Sequence, residues 1–233
     1  VYHIRTKTQK WLILVIIAIG YYWLLSMNVQ TMFIKRNYRD ANRKYEDITR
    51  IVVHSTANEH ESADADNNVR YFGKPNKYNA SAHFCVDDEK VCQAVDISDI
   101  AWHTGTSWGN NVSIGVEMCE NFRTKSDSTR MMKRAIALYG DLSVKCPNAI
   151  FIRHYDIKRK NGYQKLCPGW FVKNEYQTQD KADQKFIRFL DEIDEYNKNN
   201  GHITNIAEKS ADLLGIPYYN KPVLDIKYLG FDD

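Results

Sequence analysis

The sequence predicts an α/β protein: a central mixed β-sheet of about five strands with helices packed on its faces, forming a single domain. Three observations carry this reading. Short β-branched or aromatic runs recur, and two of them, Ile51-Val52-Val53-His54 and Ile150-Phe151-Ile152-Arg153-His154, end on a histidine before the chain turns polar. Strands buried on both faces read as such continuous apolar runs. Two long stretches, one between these runs and one after them, repeat apolar residues at helical spacing. A strand–turn–strand pattern completes the alternation.

The elements follow in chain order. Trp11 to Met27 is seventeen residues without a formal charge, short for a membrane-spanning helix and long for a signal-peptide core. No small-x-small cleavage site follows it, so residues 1–31 read as an uncleaved anchor or as upstream sequence absent from the mature protein. Ile34 to Asp47 is charged and tyrosine-bearing, a covering arm. Ile48 to His54 is the first strand, and Ser62 is the expected cap of a helix reaching Phe72. Ala80 to Val86 and Val91 to Val95, joined by Asp87-Asp88-Glu89-Lys90, predict a hairpin. Ala101 to Gly105 is a loop, and Val112 to Cys119 a strand with Glu117 near its end. Ser126 or Asp127 caps a helix to about Lys145, whose Met131, Met132, Ala135, Ile136, Tyr139 and Leu142 make a packing stripe. After the second histidine strand comes a basic loop, then a helix over Lys181–Lys198 ended by Asn199-Asn200-Gly201. A short helix over Asn205–Leu214 and a Tyr/Pro-rich tail close the chain. The expected divisions are 1–31, a folded unit over 32–200, and a short extension over 201–233.

At 233 residues the chain can bury one substantial core. Its 32 basic and 29 acidic residues leave a charge of +3, too weak to indicate nucleic acid. The five cysteines are an odd number without framework spacing, so at least one is left over from any disulfide set. A metal ligand would account for it. Cys85 and Cys92 flank the hairpin and read as buried small hydrophobes, with oxidation outside the cell as the alternative.

The chemistry-bearing residues are few. His54 and His154 stand at strand ends, and Cys167 follows in Lys165-Leu166-Cys167-Pro168-Gly169. Two imidazoles and a thiolate make a three-ligand Zn2+ set, which leaves a fourth position for water as catalytic zinc sites do. Glu117 sits in an otherwise apolar strand, where unpaired burial would be costly, and is the candidate proton carrier. Its other reading is an ordinary strand-end carboxylate paired with a lysine. His83 and His103 are alternative ligands by residue type. His103, between Trp102 and Gly105, better suits a loop that touches substrate. Trp102, Trp108 and Tyr155 are aromatic candidates for a groove wall.

The ordered set IVVHSTAN, NASAHFCVDD, VCQAVD, AWHTG, NVSIGVEMC, IRHYDI and KLCPGW resembles the zinc-dependent N-acetylmuramoyl-L-alanine amidases of type 2, over roughly Ile34 to Val172. The resemblance implies that His54, His154 and Cys167 ligate zinc and that Glu117 is the catalytic glutamate. It matches Lys165 to the lysine of the family's Lys-x-Cys motif, where an ammonium would face the developing oxyanion. It places His103 at the substrate cleft, where His83 and Trp102 are further substrate-binding candidates by residue type. The implied reaction is hydrolysis of the amide between N-acetylmuramic acid and L-alanine in peptidoglycan, by a cell-envelope enzyme of autolysin or phage endolysin type. Such an enzyme would be anchored through Trp11–Met27 or secreted to the wall. If residues 1–31 are not in the mature protein, it would be cytoplasmic before phage-type release. The weak positive charge is compatible with a polyanionic wall. The alternative is a module that recognises peptidoglycan without cleaving it, for which a complete zinc set would have no use. Two departures stand out. Twelve residues separate His154 from Cys167, more than the family usually has, and Ala82 stands where the family's phage lysozyme carries a catalytic tyrosine.

Overall fold

A computed structural model describes residues 29–218 of the chain. Trp11–Met27 lies outside the described residues. Among those described, no helix is long and apolar enough to cross a membrane.

In chain order the elements are β1 (Val29–Thr31), β2 (Tyr38–Arg39), β3 (Arg50–Ser55), α1 (Ala65–Phe72), β4 (Phe84–Val86), β5 (Val91–Gln93), β6 (Ile100–Ala101), α2 (Ser107–Val112), β7 (Ser113–Met118), α3 (Lys125–Lys145), β8 (Ile150–Arg153), α4 (Gln179–Asn199) and α5 (Ile206–Leu214). Six strands form one mixed sheet in the order β1-β5-β4-β7-β3-β8, and β2 pairs antiparallel with β6 beside it. The expected hairpin is the β4–β5 pair, the antiparallel step in the sheet. The sixth strand beyond the expected five is β1, three exposed residues paired parallel to β5. It is too short and too polar to signal itself, and it lies inside the segment the sequence sets apart.

Period-two alternation divides the sheet into two faces. Ile51 and Val53 of β3, Ile114 and Val116 of β7 and Phe151 of β8 turn to one side and join the main core. The buried stripe of α3 and the Phe186, Phe189, Leu190 and Ile193 face of α4 cover that side. On the opposite side Val52 packs with Ile152 and Ile157. Cys85, Cys92 and Cys119 pack there with α1. All five cysteines are buried free thiols, and Cys85 lies directly across from Cys92.

Local chemistry sets the helix starts. Asp64, rather than Ser62, caps α1 by accepting from Asn67 N–H at 2.8 Å; the Ser62 hydroxyl is taken by His60 Nδ1. Thr124 caps α3, with Asp127 closing a reciprocal box, and Thr178 caps α4. The N-terminus of α5 has no side-chain cap of its own. Asp194 of α4 accepts from Ile206 N–H at 2.9 Å and Ala207 N–H at 3.0 Å instead. Ser210 of α5 then reaches the edge strand β8 and accepts from Phe151 N–H at 3.2 Å. Ile206, Ala207, Ala211 and Ile216 are therefore part of the main core, with Leu214 and Tyr218 packed against it.

Candidate metal centre

Register alone brings three of the named residues together. β7, β3 and β8 run parallel, with His54 paired to Glu117 and Val53 paired to Arg153. His154 follows Arg153 one step past the end of β8, level with His54. Three side chains from neighbouring strands thus leave the carboxyl ends of a parallel sheet on one face, where open α/β sheets place their ligands. Gly115, two residues before Glu117, leaves its Cβ position to the ring of His103.

The ligating atoms converge. His54, His154 and Cys167 are all buried, and one donor atom from each lies within 4.8 Å of the others. His154 Nδ1 is 3.1 Å from His54 Nδ1, and Cys167 Sγ is 3.8 Å from the same nitrogen. A tetrahedral zinc with ordinary bond lengths separates two nitrogens by about 3.3 Å and a nitrogen from a sulfur by about 3.6 Å. The spacing fits. So does the proton count. His154 turns Nε2 to the Thr104 carbonyl at 3.1 Å, and a carbonyl only accepts. Nε2 therefore carries the proton, and Nδ1 presents a bare lone pair to His54. A bare imidazole nitrogen beside a second ring nitrogen and a sulfur, all buried, is a donor set suited to a cation.

Electrostatics agree with neutral imidazole ligands. Burial, together with the charges of His154, His103 and Lys165, holds His54 well below its ordinary value. Burial and then Lys165 bring His154 down to about 4. Burial and then Glu117 push the Cys167 thiol up to about 12. Its sulfur accepts from Ser55 N–H at 3.5 Å, a bond that favours a thiolate once a metal is present. Glu117 Oε1 is 3.8 Å from His54 Nδ1, but with His54 neutral this is a contact rather than an ion pair. Glu117 Oε2 is buried without a hydrogen-bond partner. Burial pushes this carboxyl up to about 7, with Lys165 opposing and Glu120 adding to the rise. A carboxyl near 7 is matched to moving protons at neutral pH.

The family profile described as N-acetylmuramoyl-L-alanine amidase matches residues 44–170, more than half of the chain. The chain belongs to this family. The amidase XlyA of Bacillus subtilis is 42% identical over 73 residues, 30% of this chain and 24% of its own length. The amidase BlyA of the same organism is 30% identical over 177 residues, 67% of this chain and 44% of its own. The chain spans less than half the length of either relative. Among solved structures, the catalytic domain of XlyA superposes with a TM-score of 0.55 at 28% identity, covering 71% of this chain and 99% of that one. The Staphylococcus aureus hydrolase AmiA shares the fold, with a TM-score of 0.59 at 18% identity over 80% of this chain and 94% of its own.

Within this amidase fold the remaining predicted residues sit in different environments around the cluster. Lys165 is exposed, and its charge acts on His54, His154, Glu117 and Cys167. Trp102 is 37% exposed, its backbone tied to Ser81 by two hydrogen bonds. His83 does not reach the cleft as a free side chain. It is fully buried just before β4, where Nδ1 accepts from Gly115 N–H at 3.0 Å and Nε2 faces the Asp99 carbonyl at 3.2 Å. Arg43 packs against it from the covering arm. His103 is buried too, with Nδ1 at 2.9 Å from His54 Nε2 rather than open to solvent. Sequence reasoning passed over Thr104, Ser55 and Gly115. The first two act through backbone groups, which no side-chain pattern announces. Gly115 acts through the side chain it lacks.

Proposed function

We propose that this protein is a zinc-dependent peptidoglycan amidase that hydrolyses the bond between the lactyl group of N-acetylmuramic acid and L-alanine. The observation that carries the reading is the convergence of two neutral imidazole nitrogens and a sulfur, with Glu117 on the same rung and its Oε2 buried without a hydrogen-bond partner. Zinc held by His54, His154 and Cys167 would supply Lewis-acid chemistry, lowering the pKa of water to about 7 and polarising the amide carbonyl. Glu117 takes the proton of the attacking water and returns it to the departing alanine nitrogen. Its burial suits both halves of this task, because a carboxyl raised toward 7 gains and loses a proton with little bias. Lys165 sets an ammonium toward the charge that develops on the carbonyl oxygen. Trp102 is an exposed aromatic available to the glycan or peptide.

The test is a digest of purified walls with and without a chelator, scoring new alanine amines against new reducing ends. Alanine amines released only when zinc is present are the expected result. Reducing ends would mean a glycosidase, and neither product would mean a binding module; either result overturns the proposal.

A further inference from the structure

Resting on the metal reading above, we infer that His103 is a positioning residue that fixes the tautomer and tilt of the ligand His54. Through its neighbour Thr104, the same short loop fixes the other imidazole ligand.

The argument is a proton count along one chain of contacts. Ser113 Oγ lies 2.5 Å from the Gly109 carbonyl, which can only accept, so the single hydroxyl proton points there. Toward His103 Nε2, at 3.2 Å, the same oxygen must then accept, and His103 carries its proton on Nε2. His103 Nδ1 is left as an acceptor. It stands 2.9 Å from His54 Nε2, which must donate. The proton of His54 is thereby held on Nε2, and its Nδ1 lone pair is directed at His154 and Cys167. The two rings meet edge to face, with centroids 5.0 Å apart and planes at 78°. The contact therefore fixes the tilt of His54 as well as its tautomer. Partners of this kind orient metal-binding histidines and tune their affinity.

The loop is built for this task. Asn110 Oδ1 accepts from His103 N–H at 3.1 Å, from Thr104 N–H at 2.9 Å and from the Thr104 hydroxyl at 2.9 Å. One amide thus pins the dipeptide whose side chain holds His54 and whose next carbonyl holds His154 Nε2. Room for the His103 ring comes from Gly115 of β7. A Cβ built there would lie 2.5 Å from His103 Nδ1, so no side chain can occupy that position while the ring stays. With 7% of its surface exposed, His103 has little left to offer a substrate.

The test compares zinc affinity, by competition with a chromophoric chelator, in the unsubstituted protein, His103→Leu and His103→Asn. The leucine removes the acceptor and keeps most of the bulk. The asparagine Oδ1 stands close to where Nδ1 was and can accept from His54. Zinc binding should weaken about tenfold to a hundredfold in His103→Leu and return most of the way in His103→Asn. The melting temperature of the metal-free protein serves as the control for packing. Should the leucine variant not fold, long-range nitrogen–proton NMR on the unsubstituted zinc-loaded protein reads the tautomer of His54 directly. A proton on Nε2 is expected there. Unchanged affinity in His103→Leu, or a His54 ligating through Nε2, would overturn the inference and leave the amidase reading intact. An unsubstituted protein that binds no zinc would overturn both.

Discussion

Glu117 and His54 are register partners on adjacent parallel strands, so their side chains share a face without help from any loop. Glu117→Gln keeps the volume and removes the titratable oxygen. The expected outcome is full zinc stoichiometry by metal analysis with turnover on walls lowered about a hundredfold or more. Near-normal turnover would take the proton-carrying role from this residue. His54, Glu117, His154 and Cys167 were legible because each breaks its local pattern: a histidine ending a β-branched run, a carboxylate inside one, a thiol before proline. His83 and His103 were not. Whether those imidazoles face solvent or core depends on the empty Cβ position of Gly115 and on Arg43, forty residues away from His83 along the chain. No spacing rule encodes either arrival.

Between the strand and the proposed ligand His154 stands Arg153, the last residue of β8. Its side chain is almost fully buried, and its guanidinium donates to Asp183 at 2.5 Å, to the Phe171 carbonyl at 2.8 Å and to both oxygens of Asp156 at 2.8 and 3.0 Å. These bonds tie β8 and the turn holding His154 to α4. Arg153→Met should cost about 3 kcal/mol or more, because two part-buried carboxylates lose their shared cation. Urea unfolding of the zinc-saturated protein measures this, and a loss under about 1 kcal/mol would deny the clamp. At the other end of α4, Asp194→Ala should cost about 1 to 2 kcal/mol, the usual worth of a helix cap. That variant should free residues 206–214 for hydrogen exchange ahead of the sheet. Such a cap is illegible in the sequence, since it comes from a neighbouring helix rather than from Asn205. The basic loop also acts at this scale. Lys158, Arg159 and Lys160 border a cavity of about 650 Å³ with Gly105, Thr106 and Trp108. Under the amidase reading, Lys158→Glu with Lys160→Glu should raise KM on intact anionic walls about threefold to tenfold. The effect should fade at high salt, as screening requires, and leave a small neutral substrate untouched.

The described residues form a sheet with two unequal sides: α3 and α4 bury one, and the other, covered in part by α1, carries the candidate metal centre at the carboxyl ends of its parallel strands. The sheet and its covering helices were readable from continuous apolar runs and helical stripes, whereas the inequality of its two sides was not. The edges were not, because β1 is three exposed residues and α5 is docked by polar contacts from α4. This docking makes stability depend on pH in a definite direction. Asp191 of α4 accepts from the Tyr218 hydroxyl at 3.1 Å, yet burial, reinforced by nearby Asp194 and opposed by Tyr218 and Arg188, raises its carboxyl from an ordinary 3.8 to about 6. Between those values the folded state holds a proton that the unfolded chain has released, so stability contributed by this group falls as pH rises through the window. Above about pH 6 the fold carries a half-buried charge it would be better without. Asp191→Asn keeps an acceptor for Tyr218 and removes that charge. It should therefore stabilise the protein by about 1 kcal/mol at about pH 7.5, a figure already reduced for solvent screening, and the gain should vanish by about pH 4. Paired thermal melts of the two proteins across this range measure the difference directly. A gain that stays constant with pH would place its origin in packing rather than in charge.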